Sequence, residues 1–434
     1  MNQKALYYQY PYVKEFSATV KSCEAVTEAA VLALFPGQPG IWQLTLSEEG
    51  FYPEGGGQPG DRGFISLPQD TGDNVFGVHV LDTREGQDGA VLYTDGPLES
   101  GQRVQCAIDW KWRMRNTQNH SGEHIISGLV HRDYGYDNVG FHMHMEEEQP
   151  LITIDFNGPI DWDSLQRIEQ EANAVVRQDL PIEVFYPTAE ELAALDYRSK
   201  KALSGPVRLV RIPGTDLCAC CGTHVERTGE IGCIKLLSVV SHRGGVRIEM
   251  LCGLDAFRDY ERKHETVLNI SRRLSVKPEE TAAAVESLLL ENQRQRQRIA
   301  ALNERAFQQK AAEYARIFGT AEAEGAEETA ADEKAAKDAL AACGVLCDFE
   351  EDMKGVELRK CCDYLMKHTG ARIAAVFGEG GSYVIGSRTE DVRPLGKALN
   401  TRLSGRGGGQ AAMVQGSLQG SESEIRSALA EIFS

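Results

Sequence analysis

Residues 116–128 read NTQNHSGEHIISG, and His120 and His124 stand four apart at the start of what reads as an amphipathic helix over about 117–132. At that spacing both imidazoles leave one face of a helix a little over one turn apart, the arrangement a metal ion requires of a helix. Such a pair is more often an ordinary surface pair, so further donors must come from elsewhere in the chain. The segment DLCACCGTHVERTGEIG supplies them: Cys218, Cys220, Cys221 and His224. Cys220 and His224 are again four apart, and three imidazoles with one thiolate suit Zn2+, a borderline-soft cation. Spacing from His224 favours Cys220, with Cys218 and Cys221 as the neighbouring alternatives. The bland reading, a buried thiol cluster near unrelated histidines, has to explain two independent half-sites.

A third stretch, FYPEGGGQPGDRG at 51–63, places Gly55, Gly56 and Gly57 before Gln58. Glycines allow a backbone to approach a ligand closely, and they also make the tight turn that closes a hairpin. Glu123 lies inside the histidine motif and Glu54 beside the glycines. On a helix Glu123 points about 100° away from His124, so neither is favoured as a general base.

The elements that must hold these residues follow from periodicity and punctuation. Residues 1–100 alternate apolar and polar over short runs broken by Gly, Pro and Asp, which predicts a small β-barrel. Residues 101–253 mix helix and strand signals, with a helix over about 161–178 and strands at LITIDFN, EVFYP, VRLVRI, IGCIKLLSVV and VRIEML, so an α+β domain is expected there. Residues 254–320 contain helix formers only. Pro278 before Glu279 and Glu280 marks a helix start, giving two helices. In the second, Val285, Leu288, Ile299, Leu302 and Ala306 follow an apolar three-four spacing that Asn292 and Gln295 interrupt, so a helical arm or short hairpin fits better than an extended coiled coil. The acidic, Ala-rich AEAEGAEETAADEKAAKDALAA reads as a linker. Residues 321–434 return to α/β punctuation, with SGRGGGQ at 404–410 as a loop and a last helix opening at the capping box Ser421–Glu424. The fold class expected is α+β.

The 434 residues, with 42% hydrophobic and 25% charged, fit a multidomain globular chain. No run reaches the length of a membrane span, and MNQKALYYQYPYVKEF lacks the apolar core of a secretory signal, so no membrane association and a cytoplasmic location are expected. Eleven cysteines without framework spacing fit a reducing compartment. A net charge of −18 argues against indiscriminate nucleic-acid coating, because phosphate contacts are made by Lys and Arg. Local basic runs remain: WKWRMRNTQNH carries Lys111, Arg113 and Arg115, and YRSKKALSGPVRLVR carries Arg198, Lys200, Lys201, Arg208 and Arg211.

HSGEH, CCGTHVERTGEIG and FYPEGGGQPGDRG together resemble the editing domain of alanyl-tRNA synthetase and its free-standing relatives, the AlaX family. The arm and Gly-rich final domain resemble the C-terminal part of alanyl-tRNA synthetase, so the long form of AlaX is the nearest match. One departure is Cys221, where the family usually has glycine. The resemblance implies a zinc-dependent hydrolase acting on the ester between an amino acid and the 3′ end of alanine tRNA, clearing serine or glycine. It implies His120, His124, Cys220 and His224 as metal ligands, and Gln58 with Gly56 and Gly57 as the group at the substrate. Arg113, Arg115, Lys200, Lys201, Arg243 and Arg406 are the expected tRNA contacts, and the last domain is expected to hold tRNA or pair two chains. Two other readings compete. HSGEH also fits the His-x-x-Glu-His motif of zinc peptidases, although those take a carboxylate as third ligand. The zinc could also be purely structural, in a non-catalytic tRNA-binding module.

Overall fold

A computed structural model describes residues 5–68, 77–145, 149–199, 206–318 and 340–433. The chain divides into two compact units, residues 1–273 and 274–434. Lys200, Lys201 and most of the acidic Ala-rich stretch lie outside the described residues.

The first unit opens with a closed barrel of β1 (Glu15–Ala25), β2 (Trp42–Leu46), β3 (Gly63–Ser66), β4 (Gly77–Gly86), β5 (Gly89–Thr94) and β6 (Arg103–Ile108), in the order β1-β2-β5-β4-β3-β6. Alternate residues face inward: Phe16, Ala18 and Val20 from β1 meet Val104, Cys106 and Ile108 from β6 in one apolar core. Because β6 pairs with both β1 and β3, closure needs residues beyond 100.

Directly after β6, the Asp109 side chain accepts a hydrogen bond from Trp112 N and caps α1 (Trp110–Tyr134), which ends at Gly135 with φ 68°. The helix therefore starts seven residues earlier than the periodicity over 117–132 predicts, and His120 sits near its middle. It is also not amphipathic: every residue from Asn119 to Val130 is buried. A helix apolar or satisfied all round is a core helix, and this one is wrapped by its own unit.

The wrapping elements are β7 (Asn138–His144), β8 (Leu151–Phe156), α2 (Trp162–Gln178), β9 (Glu183–Phe185), β10 (Leu209–Ile212), β11 (Asp216–Ala219), β12 (Ile234–His242) and β13 (Gly245–Cys252). They form an antiparallel sheet in the order β12-β13-β8-β7 and a smaller one in the order β11-β10-β9. Leu165, Ile168, Ala172, Val175 and Val176 make the three-four stripe by which α2 joins Ile125, Ile126 and Leu129 of α1 in the core. The unit ends in α3 (Gly253–Leu274).

The second unit contains α4 (Thr281–Ile317) and a five-stranded sheet of β14 (Val345–Glu350), β15 (Ile373–Gly378), β16 (Ser382–Gly386), β17 (Arg406–Gln410) and β18 (Met413–Ser417), in the order β14-β15-β16-β18-β17. Its helices are α5 (Gly355–His368), α6 (Arg393–Arg402) and α7 (Glu422–Phe433). The β14–β15 pair is parallel and the rest antiparallel, an α/β domain as expected. The expected loop SGRGGGQ is corrected: Arg406–Gln410 is an exposed edge strand paired with Met413–Ser417. Three successive glycines conceal the strand from a pattern reading because they carry no alternation, yet at Gly409 a Cβ would stand 2.3 Å from the Met413 carbonyl oxygen. The capping box forms, with Ser421 N donating to Glu424 Oε2 at 2.7 Å.

Candidate metal centre

The middle of α1 brings His120 and His124 against the turn after β11, which carries Cys220 and His224. Their ligand atoms all lie within 4.8 Å of one another. His120 Nε2 and His224 Nε2 each stand 3.4 Å from Cys220 Sγ. Donors at zinc distances on a tetrahedron are separated by roughly 3.3–3.6 Å, so this spacing fits such an ion. Cys218 belongs to an adjoining group with His124 and Asp216, and Cys221 is exposed.

What aims the rings is the opposite nitrogen of each. His120 Nδ1 is 2.9 Å from Gln58 Oε1, His124 Nδ1 is 2.8 Å from Asp216 Oδ2, and His224 Nδ1 is 3.2 Å from Ser121 Oγ. With its proton given to that acceptor, each imidazole keeps the Nε2 lone pair for the interior. The acceptors are themselves fixed. Arg198 grips both oxygens of Asp216 at 2.7 and 2.9 Å. The Ser121 hydroxyl donates to Thr117 O, leaving its lone pairs for His224. Gln58 Nε2 donates to Thr223 Oγ1 at 2.8 Å while Thr223 N donates to Gln58 Oε1 at 3.1 Å.

Charge follows the same geometry. Burial alone would raise the Cys220 thiol, but His120, His124 and His224 around it hold it well below the ordinary value, as a thiolate. Burial works against the charged form of His124, yet Cys220 and Asp216 more than offset it and bring the group up to about 10. For His224 burial wins over Cys220 and the ring falls to about 3. The set thus pairs one thiolate with a proton held on His124, and a divalent metal would displace that proton to take the Nε2 lone pair.

The triple-glycine turn is both a turn and a part of the site. Gly55 and Gln58 exchange backbone hydrogen bonds at 3.0 Å, with Gly56 and Gly57 at φ 62° and 87°. That bend drives Gln58 inward, where it is fully buried. There its amide bonds His120 and Thr223. A Cβ on Gly56 would lie 3.9 Å from His120 Cε1, and one on Gly222 only 2.0 Å from the same atom. Outside the turn a cleft of about 660 Å³ is lined by Tyr7, Tyr8, Tyr52, Gly56, Cys221 and the carboxylate-bearing Glu49, Glu54 and Glu85.

The expected tRNA contacts separate. Arg113 is buried, its Nε 2.8 Å from Asp61 Oδ1 and its Nη2 donating to Gly50 O, so it ties α1 to the barrel and cannot meet tRNA. Arg115 is turned to Asp255 at 2.7 Å with its side chain 12% exposed. Arg243, with φ 46° in the β12–β13 turn, and Arg406 on β17 are at the surface. Sequence reasoning missed Asp216, Ser121 and Thr223, and it placed Arg198 and Arg208 only in a local basic run. Arg208 is 4% exposed and its Nη1 donates to the carbonyls of Cys220 and Gly222 at 2.8 and 3.0 Å, clamping the thiolate's loop. The cysteine-rich loop's need for buried carbonyl partners was the only signal that could have pointed to it.

Residues 207–249 match the threonyl and alanyl tRNA synthetase second additional domain, and residues 339–434 match the DHHA1 domain. The chain is 31% identical over 291 residues to the alanyl-tRNA editing protein AlaX-L of Pyrococcus horikoshii, covering 65% of each chain. The chain is similar to the alanyl-tRNA editing proteins. It is 30% identical over 257 residues to the alanyl-tRNA editing protein Aarsd1-A of Xenopus laevis, covering 57% of this chain and 58% of that one. An alanine–tRNA ligase of Ignicoccus hospitalis matches at 29% over 292 residues, 66% of this chain and 30% of the ligase. The chain thus covers less than two thirds of the length of these editing relatives, as of the ligase. Both matched families fall where the site and the Gly-rich sheet lie.

Proposed function

We propose that this chain is a trans-editing hydrolase that deacylates alanine tRNA mischarged with serine or glycine, with Zn2+ held by His120, His124, Cys220 and His224. The observation that carries the reading is the convergence of three outward-anchored imidazoles on one thiolate at the inner side of the glycine turn, next to an open cleft. A synthetase pocket shaped for alanine cannot exclude glycine by size and rejects an added hydroxyl poorly, so a second site that cleaves the wrong ester is needed.

In this reading the cleft takes the aminoacylated 3′ end. Glu49, Glu54 and Glu85 suit the ammonium of the amino acid and repel phosphate, so phosphate contacts fall to Arg243, Arg406, Lys200 and Lys201. When bound, the metal would supply positive charge for the ester carbonyl. The chain's own residues do the rest. Gln58 keeps the His120 proton on Nδ1, Asp216 does the same for His124, and Arg208 fixes the carbonyls flanking the thiolate. Gly56 lets the substrate end pass close to His120, and Gly57, packed on Phe141, holds the bend. The last domain helps to hold tRNA, and the protein works where charged tRNA is, in the cytoplasm.

The peptidase reading is disfavoured by Glu123. Its Oε1 accepts from the Ser127 hydroxyl at 2.6 Å inside the core, and the residue is 1% exposed, so it has no access to a substrate water. The deciding experiment offers seryl-, glycyl- and alanyl-esters on one alanine tRNA to the purified protein. Hydrolysis of seryl- or glycyl-tRNA with alanyl-tRNA spared is expected, and cleavage of none rejects the activity.

A further inference from the structure

Thirty-seven residues of α4 form one uninterrupted helix. Phe307, Ala311 and Tyr314 are buried in one core with Leu358, Cys361 and Leu365 of α5, which fixes the side of α4 that faces inward. At about 100° per residue, Arg294, Arg298, Arg305 and Arg316 fall within about 40° of one another around the axis, roughly 160° from that buried line. The intervals of four, seven and eleven residues are close to one, two and three whole turns. The row therefore runs straight along the outer side of the helix for about 33 Å. In a chain of net charge −18 this is a local basic surface that the overall charge conceals.

The row is unspent. All four arginines are exposed, and none joins an ion pair among the described residues, whereas Arg372, Arg393 and Arg402 of the same unit each meet a carboxylate. Glu291, three residues before Arg294, accepts from Gln295 Nε2 at 3.1 Å instead. Between Arg294 and Arg316 the same side of the helix carries Ala301, Gln309 and Ala312 and no acid. A single small anion needs donors that converge on it. These stand about 6, 10.5 and 16.5 Å apart in succession on a convex helix, which suits an extended polyanion. Guanidinium is weakly hydrated and forks onto phosphate oxygens, and the alanines between the cations let a backbone come near the helix. A lipid surface fits less well, because no aromatic or long apolar side chain stands in the row to enter it.

We propose that the outer side of α4 binds the phosphate backbone of tRNA through Arg294, Arg298, Arg305 and Arg316, a surface separate from the residues that cleave the ester. That the polyanion is tRNA rests on the proposed activity, while the row itself is read from α4 alone.

Binding of uncharged alanine tRNA to the full chain, measured across a range of salt, tests it. Each phosphate neutralised adds about 0.7–0.9 to the slope of log affinity against log salt. Arg294→Gln, Arg298→Gln, Arg305→Gln and Arg316→Gln together should therefore lower that slope by about 3 and weaken binding at least about tenfold near 0.1 M salt, with helicity by circular dichroism unchanged. The same four positions changed to lysine should keep the slope, and Arg296→Gln, on another side of the helix, should leave slope and affinity as they are. An unchanged slope in the glutamine variant overturns the proposal. So does a lysine variant that loses the slope as fully, since charge would then not be what the surface supplies. A wild type that binds vesicles of anionic phospholipid and not tRNA overturns it as well. Because this tRNA carries no amino acid, an absence of ester hydrolysis leaves these readouts in place, and failure of the activity is told apart from failure of the surface.

Discussion

At the Cys220 thiolate, three ring nitrogens and one sulfur are held by residues whose own job is to carry no metal. Two substitutions separate the ligand from its neighbour. Cys220→Ala should abolish both bound zinc and deacylation, whereas Cys221→Ala, altering an exposed thiol, should retain zinc at about one equivalent; elemental analysis of the purified variants decides. Gln58→Leu keeps the volume but removes the acceptor from His120 Nδ1 and from Thr223 N, so zinc affinity should fall by about 10–100-fold in competition with a chelator and the melting temperature should fall with it. A loss of deacylation at full zinc occupancy would instead mean that Gln58 meets the substrate. The donor residue types and their four-residue spacings were legible in the sequence because helix and turn geometry is local. The residues that aim them, Gln58, Asp216 and Arg198, were not, since they lie 62, 92 and 18 positions from the partners they hold and no spacing rule connects them.

At the scale of elements, the barrel and the final α/β domain could be read from alternation and turn residues, and the start of the arm's second helix from Pro278. The start of α1 and the strand β17 could not. The first depends on one capping aspartate, and the second on glycines that look like a loop until a partner strand is present. Arg113 is the clearest case of a residue misread as surface. Arg113→Ala leaves Asp61 charged and buried, so the first unit should lose about 3–5 kcal/mol, measured by denaturant unfolding. A loss below 1 kcal/mol would mean that the pair is not enclosed. Between β8 and β13, Arg247 grips both oxygens of Asp155 at 2.6 and 2.7 Å and holds its carboxyl below the usual 3.8. The unfolded chain therefore takes up this proton first on acidification. The stability from the pair is present above that value and drains away as the pH falls below it. Asp155→Asn should flatten that part of the melting-temperature profile, and an unchanged acid slope would assign it to other groups.

For the molecule as a whole, the metal question becomes one of coupling. Four protein donors make a closed shell of the structural kind, and the neighbouring cleft is reached past Gly56 and Cys221. Chelation should stop deacylation of mischarged tRNA while the far-UV spectrum keeps its native shape, because the core of Ile125, Ile126, Leu129 and Ile154 extends well beyond Cys220, which packs against it. Collapse of that spectrum would favour the structural reading.

The enclosure of Asp61 also bears on how this protein can be dissected. Its carboxylate accepts from the Tyr52 N–H inside the barrel, and its countercharge is a guanidinium that the chain reaches only after completing the sixth strand. A fragment cut at the end of the barrel would carry that anion without its cation, so the barrel should be much less stable as a free-standing module. Any smaller fragment that keeps the candidate metal site has to begin with the barrel and run through the helix that neutralises it.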